Sequence, residues 1–588
     1  MSAPLTETGR STTPKAAGKD RLARAAATRG VLHMAERTLR SMRAYAGVIL
    51  FASIANPIIY IAAMGLGLGV LIGEGTSFAE YGAESYLMYI APAILASTLV
   101  MSGAIEMTFP VMEGFKWRRT YYAAQATPLT PRQIAAGHIL AVCVRFLIHS
   151  SVFLTVMLLF GVISSPWAFL QIITASMGGL ALGLPIMAYV AALRDDRGRI
   201  ALIQRFVVMP LFLFSGTFYP LTNLPLGLQV LGWLSPIWHA NELGRVLSFG
   251  QPTPAWLIGV HVGYLLLVIV AGWLIVQRIY TARLGYAEWR GRVPGARAEA
   301  KRKAKLSAQE RRQDISDGAM PSVVVRTGFA SNLYSGNIRA VFERGLSAIR
   351  SGRKLIFFAG FLEPVLFLTS FGLGVSPMLD DGFEVSGETV AYAAFIAPAL
   401  LAVSAMNGAV FDSTVNVFFK LRLTKLYRTM MATSLGPLDL ALGEILLALL
   451  RGGIYAAGFL AVLLSAGLVD PAAAVLMLAA ALLIALGFAS AGMAITTFMT
   501  RFQQLDWLMV LMLPMFLFSA TLFPIEVYPE VAQRIIQVLP LWHGVELMRH
   551  IAFWDFSLMS LVHIGYYLVM VAVGMTVTTY RMRRLFLR

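Results

Sequence analysis

Apolar residues in this chain do not alternate as in a half-buried strand, nor do they form the narrow stripe of a soluble helix. They run on for about 20 positions at a time, the length a helix needs to cross a hydrocarbon layer. The runs predict spans at 45–71, 86–109, 134–163, 168–193, 200–219 and 256–280, then at 354–376, 390–413, 440–467, 471–496, 505–523 and 558–580. The chain therefore reads as an all-α membrane protein with twelve transmembrane helices in two sets of six.

The polar segments orient the spans. "GEGTSFAEYGAES" after the first span and "LDDGFEVSGE" after the seventh are acidic, whereas "KWRR", "RDDRGR" and the terminal "RMRRLFLR" are basic. Lysine and arginine excess marks the cytoplasmic side, which predicts both termini in the cytoplasm; the expected location is a bacterial cytoplasmic (inner or plasma) membrane. The two sets also match in sequence. "NPIIYIAAMGLGLG" pairs with "EPVLFLTSFGLGV", "YIAPAILA" with "FIAPALLA", "TPLTPRQIAAGHIL" with "TSLGPLDLALGEIL", and "PLFLFSGTFYP" with "PMFLFSATLFP". Each unit has an even number of spans, so the two are parallel repeats related by an axis along the membrane normal. The expected organisation is a flexible cytoplasmic segment (1–30), a first six-span unit (31–284), a basic cytoplasmic linker (285–334) and a second unit (335–588).

Composition supports lipid as the solvent. The sequence is 57% hydrophobic and 13% charged, with a mean hydropathy of +0.70. Its net charge of +17 fits basic loops and contact with anionic lipid rather than nucleic acid. A single cysteine, Cys143, excludes a disulfide framework and a cysteine metal cluster. There is no G-x-x-x-x-G-K-[ST] phosphate loop, GxSxG or HExxH, so the chain reads as no enzyme, with no cofactor of its own.

Several polar groups remain that could carry function. Glu106 ends the second span and Arg145 lies early in the third, and Asp412 and Arg451 occupy the matching places in the second unit. A charge at the centre of a membrane helix costs about 2.5–3.5 kcal/mol, which pairing on a neighbouring helix lowers. The reading is two intramembrane ion pairs, Glu106–Arg145 and Asp412–Arg451; the alternative is arginines that snorkel to headgroups. Glu363 sits mid-span beside Pro364, where the first unit has Asn56 and Pro57. It either lines a substrate cavity, with Asn56 as its counterpart, or donates to a carbonyl freed by the proline. Finally, "PIWHANELGR" and "PLWHGVELMRH" repeat a His, Glu and Arg at three-residue spacing: His239, Glu242 and Arg245, then His543, Glu546 and Arg549. His and Glu on one helix face could hold a metal, but no other acid or cysteine stands in the first copy's loop; ion pairing along a short helix is the other reading.

"VMEGFKWRRTYYAAQATPLTP" and "VNVFFKLRLTKLYRTMMATSLGP" mix bulky and basic residues after the second and eighth spans. Each is either an interfacial helix anchored by Trp117, Tyr121 and Tyr427 or a docking surface for a soluble motor. Together with the Phe/Pro-rich end of the fifth span and the P-x-x-H-x-x-E-L-x-R block, these stretches resemble the membrane subunits of type-2 ABC exporters. Within those, the chain resembles the nodulation-type lipooligosaccharide export permeases. Family members usually carry one six-span unit and act as pairs, whereas this chain fuses two.

The resemblance implies in each unit a cytoplasmic surface helix, a coupling helix (112–125 and 416–431) and an extracellular re-entrant segment that carries the His, Glu and Arg as a lid. It implies ATPase contacts at Glu113, Phe115, Lys116, Trp117, Arg118, Tyr121, Lys420, Arg422, Lys425 and Tyr427. The partners would be two copies of an ABC ATPase subunit holding ATP and Mg, with membrane lipids and an amphiphilic substrate (a glycolipid, a lipid-linked saccharide or a hydrophobic drug). Where Glu444 follows the third-span glycine of the second unit, the first unit has His138, so the coupling helices are expected to be unequal. Two rival readings are an ion-driven secondary transporter and a membrane scaffold or sensor that transports nothing.

Overall fold

A computed structural model describes residues 14–43, 46–73, 78–194, 198–285, 337–350, 355–379, 383–385, 388–501 and 504–586. The expected linker lies almost wholly outside the described residues. Nearly all of the rest is helical. The first unit comprises α1 (Pro14–Met42), α2 (Ala46–Ile72), α3 (Tyr86–Trp117), α4 (Thr120–Gln125), α5 (Pro131–Leu159), α6 (Pro166–Ala192), α7 (199–213), α8 (Leu226–Trp233), α9 (Pro236–Phe249) and α10 (Ala255–Arg283). The second repeats it element for element: α11 (Ile338–Arg350), α12 (Leu355–Gly374), α13 (Tyr392–Leu423), α14 (Leu426–Met430), α15 (Pro437–Ser465), α16 (Pro471–Thr496), α17 (Leu505–Phe518), α18 (Glu530–Ile536), α19 (Pro540–Ala552) and α20 (Leu558–Phe586).

Among the described residues nine helices are long and apolar enough to cross a membrane: α2, α3, α5, α6, α10, α13, α15, α16 and α20. The other three expected spans are shorter there. α7 and α17 stop well before 219 and 523, because the chain leaves helical geometry at "FSGTF" and "FSATL". Gly216 takes φ 66° and Ala520 φ 55°, a left-handed conformation that breaks a helix. Two details add to this nearly all-helical fold. α1 begins at Pro14, inside the stretch read as flexible, where alanine and arginine favour helix. The fold is also not purely helical: residues 383–385 and 388–390 form a small antiparallel hairpin, with Phe383 opposite Val390.

Span starts follow a local rule. Thr130, Ser165, Ser235 and Asp470 each precede a proline at the first helical position, and each side chain accepts a backbone N–H from the first turn. Thr130 and Gln133 complete a reciprocal capping box. At the matching place in the second unit Gly436 has no side chain, and the Asp439 carboxylate instead accepts the N–H of Gly436 and of Asn337.

Within a unit α3 and α6 form the core with α9 and α10, and α1 lies against α5. A Cβ on Gly103 of α3 would stand 2.4 Å from the Gly179 carbonyl of α6, so only glycine permits this close crossing. Large apolar side chains such as Leu159, Leu267, Val475 and Leu561 point outward, giving the bundle a surface suited to lipid.

The units meet along two seams related by the repeat. In one, α12 packs against α7; in the other, α2 packs against α17. At each seam an aromatic ring past the end of the short helix lies flat on a glycine of the partner unit. A Cβ on Gly374 would come within 2.4 Å of the Tyr219 ring, and a Cβ on Gly67 within 2.3 Å of the Phe523 ring.

Candidate functional site

Three arrangements recur in both units. The first is an elbow. The α3 helix runs on past its apolar stretch through a π-helical turn, Glu113–Trp117, and then bends sharply. α13 does the same through Phe419–Leu423. The bends are made by Arg119 at φ 53° and Lys425 at φ 52°, each just before a short helix, α4 or α14. The segments expected as single coupling helices are therefore the tail of a long helix plus one short turn, because a left-handed residue interrupts each.

The elbow side chains divide into anchors and surface. Phe115, Tyr121 and Tyr427 are buried, contrary to their reading as contact residues. Phe115 packs edge-on against Tyr121 and Tyr280, with the Arg283 guanidinium 4.1 Å above its ring. So short a helix holds its position only by burying its large side chains. Burial also pushes the Tyr121 and Tyr427 hydroxyls well above the usual phenol range. Arg422 donates to the Met499 carbonyl at 3.0 Å, and Lys420 pairs with Glu444. Glu113 pairs with Arg118 at 3.1 Å. Lys116 and Trp117 are half-buried, and Trp117 meets Phe419 of the other unit with ring centroids 5.6 Å apart. Both elbows thus lie at one end of the bundle. Among the residues they expose are Arg118, Arg119 and Tyr122 on one side and Leu423, Lys425 and Arg428 on the other.

The second arrangement is the charge pair behind each elbow. Arg145 of α5 pairs with Glu106 of α3, and Arg451 of α15 donates to Asp412 of α13 at 2.5 Å. Asp412 also accepts from Asn416 at 2.6 Å. Each pair ties the helix that ends in the elbow to the next helix of its unit. Here the units differ. His138 is buried, with Nε2 3.2 Å from the Glu106 carbonyl, while its counterpart Glu444 takes Lys420. Gly114 stands where the second unit has Lys420.

The third arrangement surrounds the His, Glu and Arg repeat, which explains the break in α7 and α17. Arg245 is 1% exposed and donates to the Gly216 carbonyl at 2.6 Å; Arg549 donates to the Ala520 carbonyl at 2.6 Å. Each arginine thereby satisfies a carbonyl at the left-handed residue where the helix unwinds. Each also pairs with the acid three residues before it, Glu242 at 2.6 Å and Glu546 at 3.1 Å. Each lies over an aromatic ring, Tyr89 at 3.8 Å and Phe395 at 3.9 Å.

The histidines dock the same short helix on the last span. His239 Nδ1 is 2.8 Å from His261 Nδ1, and His543 Nδ1 is 2.7 Å from His563 Nδ1. In each pair one ring donates and the other accepts. His239 also stacks on Tyr264 and His543 on Tyr566, both at 4.0 Å. His239 Nε2 reaches the Trp233 carbonyl at 3.0 Å. No group of three or more potential metal ligands occurs among the described residues.

The relatives can now be set beside this geometry. The ABC-2 type transporter family matches the sequence twice, over residues 29–249 and 336–553. The chain belongs to the ABC-2 type transporter family. It is 27% identical to nodulation protein J of Rhizobium leguminosarum bv. viciae over 253 residues, which is 43% of this chain and 96% of that protein. Nodulation protein J of Neorhizobium galegae is 27% identical over 252 residues, 42% of this chain and 91% of its own length. The Bradyrhizobium diazoefficiens protein is 25% identical over 246 residues, 41% and 90%. This ABC-2 chain is thus a multi-pass membrane transport subunit rather than an enzyme, and it carries two family units.

Its remaining candidates lie at the seams. Glu363 is half-buried on α12, and Arg205 of α7 acts on it electrostatically across the seam. Asn56 is half-buried on α2, with its Oδ1 unpartnered. One turn earlier Ser53 is 3.0 Å from His149 Nδ1.

Sequence reasoning passed over His261, His563, Arg205 and the exposed elbow residues Arg119, Tyr122 and Arg428. The histidines had left a signal, since "HVGYLL" and "HIGYYL" repeat at matching positions. Arg119 as a left-handed bend had left none.

Proposed function

We propose that this ABC-2 chain is the fused permease pair of an exporter, with twelve spans, the elbows in the cytoplasm and both termini on that side. α7, α12 and α17 complete the count as short spans, and α1 and α11 lie on the cytoplasmic surface. Two ATPase subunits dock on the elbows and hydrolyse ATP with Mg, and an amphiphilic substrate moves outward between the units. The observation that carries this reading is the elbow. A helix of the core leads into an exposed basic bend, through a two-residue turn at Met107–Thr108 in α3 and directly in α13, and the charge pair behind it fixes that helix to its neighbour. Force applied at Arg118 or Lys425 would move the core helices together rather than unwinding a loop. The duplicated lid helices α9 and α19, held by buried arginines, would close the path at the far end.

The resemblance to nodulation-type lipooligosaccharide export permeases favours an amphiphilic saccharide-bearing substrate. An ion-driven carrier would need a chain of titratable groups across the midplane, whereas here Glu106–Arg145 and Asp412–Arg451 are paired behind the elbows, Glu242–Arg245 and Glu546–Arg549 at the lids, and among the described residues Glu363 alone is an acid at mid-span. The test is co-expression with an ATPase that carries a phosphate loop. Substituting Arg118, Arg119, Lys425 and Arg428 by alanine is expected to abolish co-purification while leaving the permease folded. Retained co-purification together with unchanged substrate-stimulated ATP hydrolysis would reject the elbows as docking sites.

A further inference from the structure

The two seams are alike in backbone and unlike in chemistry. On the α7–α12 seam stand Gln204, Arg205, Glu363 and Tyr455. The equivalent positions on the α2–α17 seam hold Leu508, Met509, Asn56 and His149. A cation and an acid thus occur within the apolar part of one seam and are missing from the equivalent positions of the other.

The Arg205 guanidinium lies 5.9 Å from the centroid of the Tyr455 ring and interacts electrostatically with both Tyr455 and Glu363. Among the described residues Arg205 and Glu363 form no contact ion pair. A charge at the centre of a membrane helix costs about 2.5–3.5 kcal/mol, and a polar partner lowers that cost. Next to Arg205, on the same π-helical turn, the Gln204 side-chain nitrogen is buried with no hydrogen-bond partner. The polar groups are rimmed by exposed Phe206 and Val207 on α7 and by Ile454 on α15. The cluster is therefore bounded by side chains on the lipid-facing surface.

We infer that the α7–α12 seam, and not its counterpart, is a headgroup site for an amphiphile carrying a phosphate-type anion with a hydrogen-bond donor beside it. Arg205 and the Gln204 amide bind the anion, and Glu363 accepts from the neighbouring ammonium or sugar hydroxyl. The acyl chain lies along Phe206, Val207 and Ile454. Such a headgroup bridges the two charges that the protein itself leaves apart. This assignment deepens the exporter reading by giving its substrate a charge and one of the two seams as its place.

The experiment uses the full chain in amphipol, with no ATPase, and measures binding of decylphosphoethanolamine, decyl β-maltoside and inorganic phosphate by calorimetry. Decylphosphoethanolamine is expected to bind about tenfold tighter than the other two, the size of effect a charge-assisted hydrogen bond supports. Arg205→Gln and Glu363→Gln should each lower that affinity about tenfold and leave decyl maltoside within about twofold, while Arg205→Lys retains most of the preference. Asn56→Ala on the other seam should leave it unchanged. Equal binding of the two amphiphiles, inorganic phosphate binding as tightly as the amphiphile, or a preference that survives Arg205→Gln would overturn the site. A second arm adds the co-purified ATPase: a headgroup preference with no stimulation of ATP hydrolysis by decylphosphoethanolamine would sink the exporter reading and leave the site standing, and stimulation without the preference would do the reverse.

Discussion

The two lids have the same backbone and the same buried arginine, yet their interiors are finished differently. In the first unit Ser97 lies 2.8 Å from Thr217, Ser215 lies 2.8 Å from the same hydroxyl, and Asn241 joins them, so the polar groups of the unwound segment are shared among neighbours. In the second unit Val403 and Val545 replace Ser97 and Asn241, and the Ser519 and Thr521 hydroxyls are buried without partners. Duplication preserved the break in the helix and the arginine that caps it, and it let the remaining hydrogen bonding diverge. The parts that stay equal in both copies are the ones the break demands. The parts that differ are where the units can take unequal roles.

The arginines give the largest expected effect. Arg245→Ala or Arg549→Ala leaves a buried carbonyl and an acid without their cation, and removal of one buried partner costs about 3–5 kcal/mol. Thermal unfolding followed by size exclusion should show either variant strongly destabilised; wild-type melting would reject the capping role. Next comes the glycine under each aromatic ring. Gly67→Ala or Gly374→Ala forces a Cβ against Phe523 or Tyr219, and overpacking costs about 1–3 kcal/mol. A lowered melting temperature in both variants is expected, with equal sensitivity on the two seams.

A gain is expected from completing the second lid. Val403→Ser with Val545→Asn supplies partners to Ser519 and Thr521, and each recovered hydrogen bond is worth about 1 kcal/mol. A double variant no more stable than wild type would show that these hydroxyls are satisfied in another way. The smallest of the core effects concerns Tyr219, whose hydroxyl lies 2.7 Å from Ser370 and donates to the Leu213 carbonyl at 2.7 Å. The other seam has Phe523 and Ala63 in the equivalent places. Tyr219→Phe should therefore cost about 1 kcal/mol, and adding Ser370→Ala should cost little more, since the repeat already contains that apolar pair. Additivity in the double-mutant cycle would deny that the two hydroxyls interact.

Much of this architecture was legible beforehand. Long apolar runs located the helices, and matching segments gave the duplication. A charge that must sit in a span seeks the opposite charge on the next helix, and that logic named Arg145 with Glu106 and Arg451 with Asp412. What stayed hidden depended on backbone geometry or on which way a ring turns. Nothing in "FSATL" marks Ala520 as left-handed, so α17 was drawn too long. Tyr121 and Tyr427 occur in basic, amphipathic stretches that suit a docking surface, but a short helix after a sharp bend is held by burying its aromatics, and Phe115 of the turn before the bend packs on Tyr121. The partner of His239 lies a whole element away on the last span, and only comparison of the two units would have suggested His261.

The central claim is that both elbows face the cytoplasm from one fused pair. It is tested most directly by labelling single cysteines, Arg119→Cys and Lys425→Cys in a Cys143→Ala background, with an impermeant thiol reagent on intact cells and on inverted vesicles. Both positions are expected to react only in inverted vesicles. Reaction of one from each side, or of either from the outside of intact cells, would contradict the account.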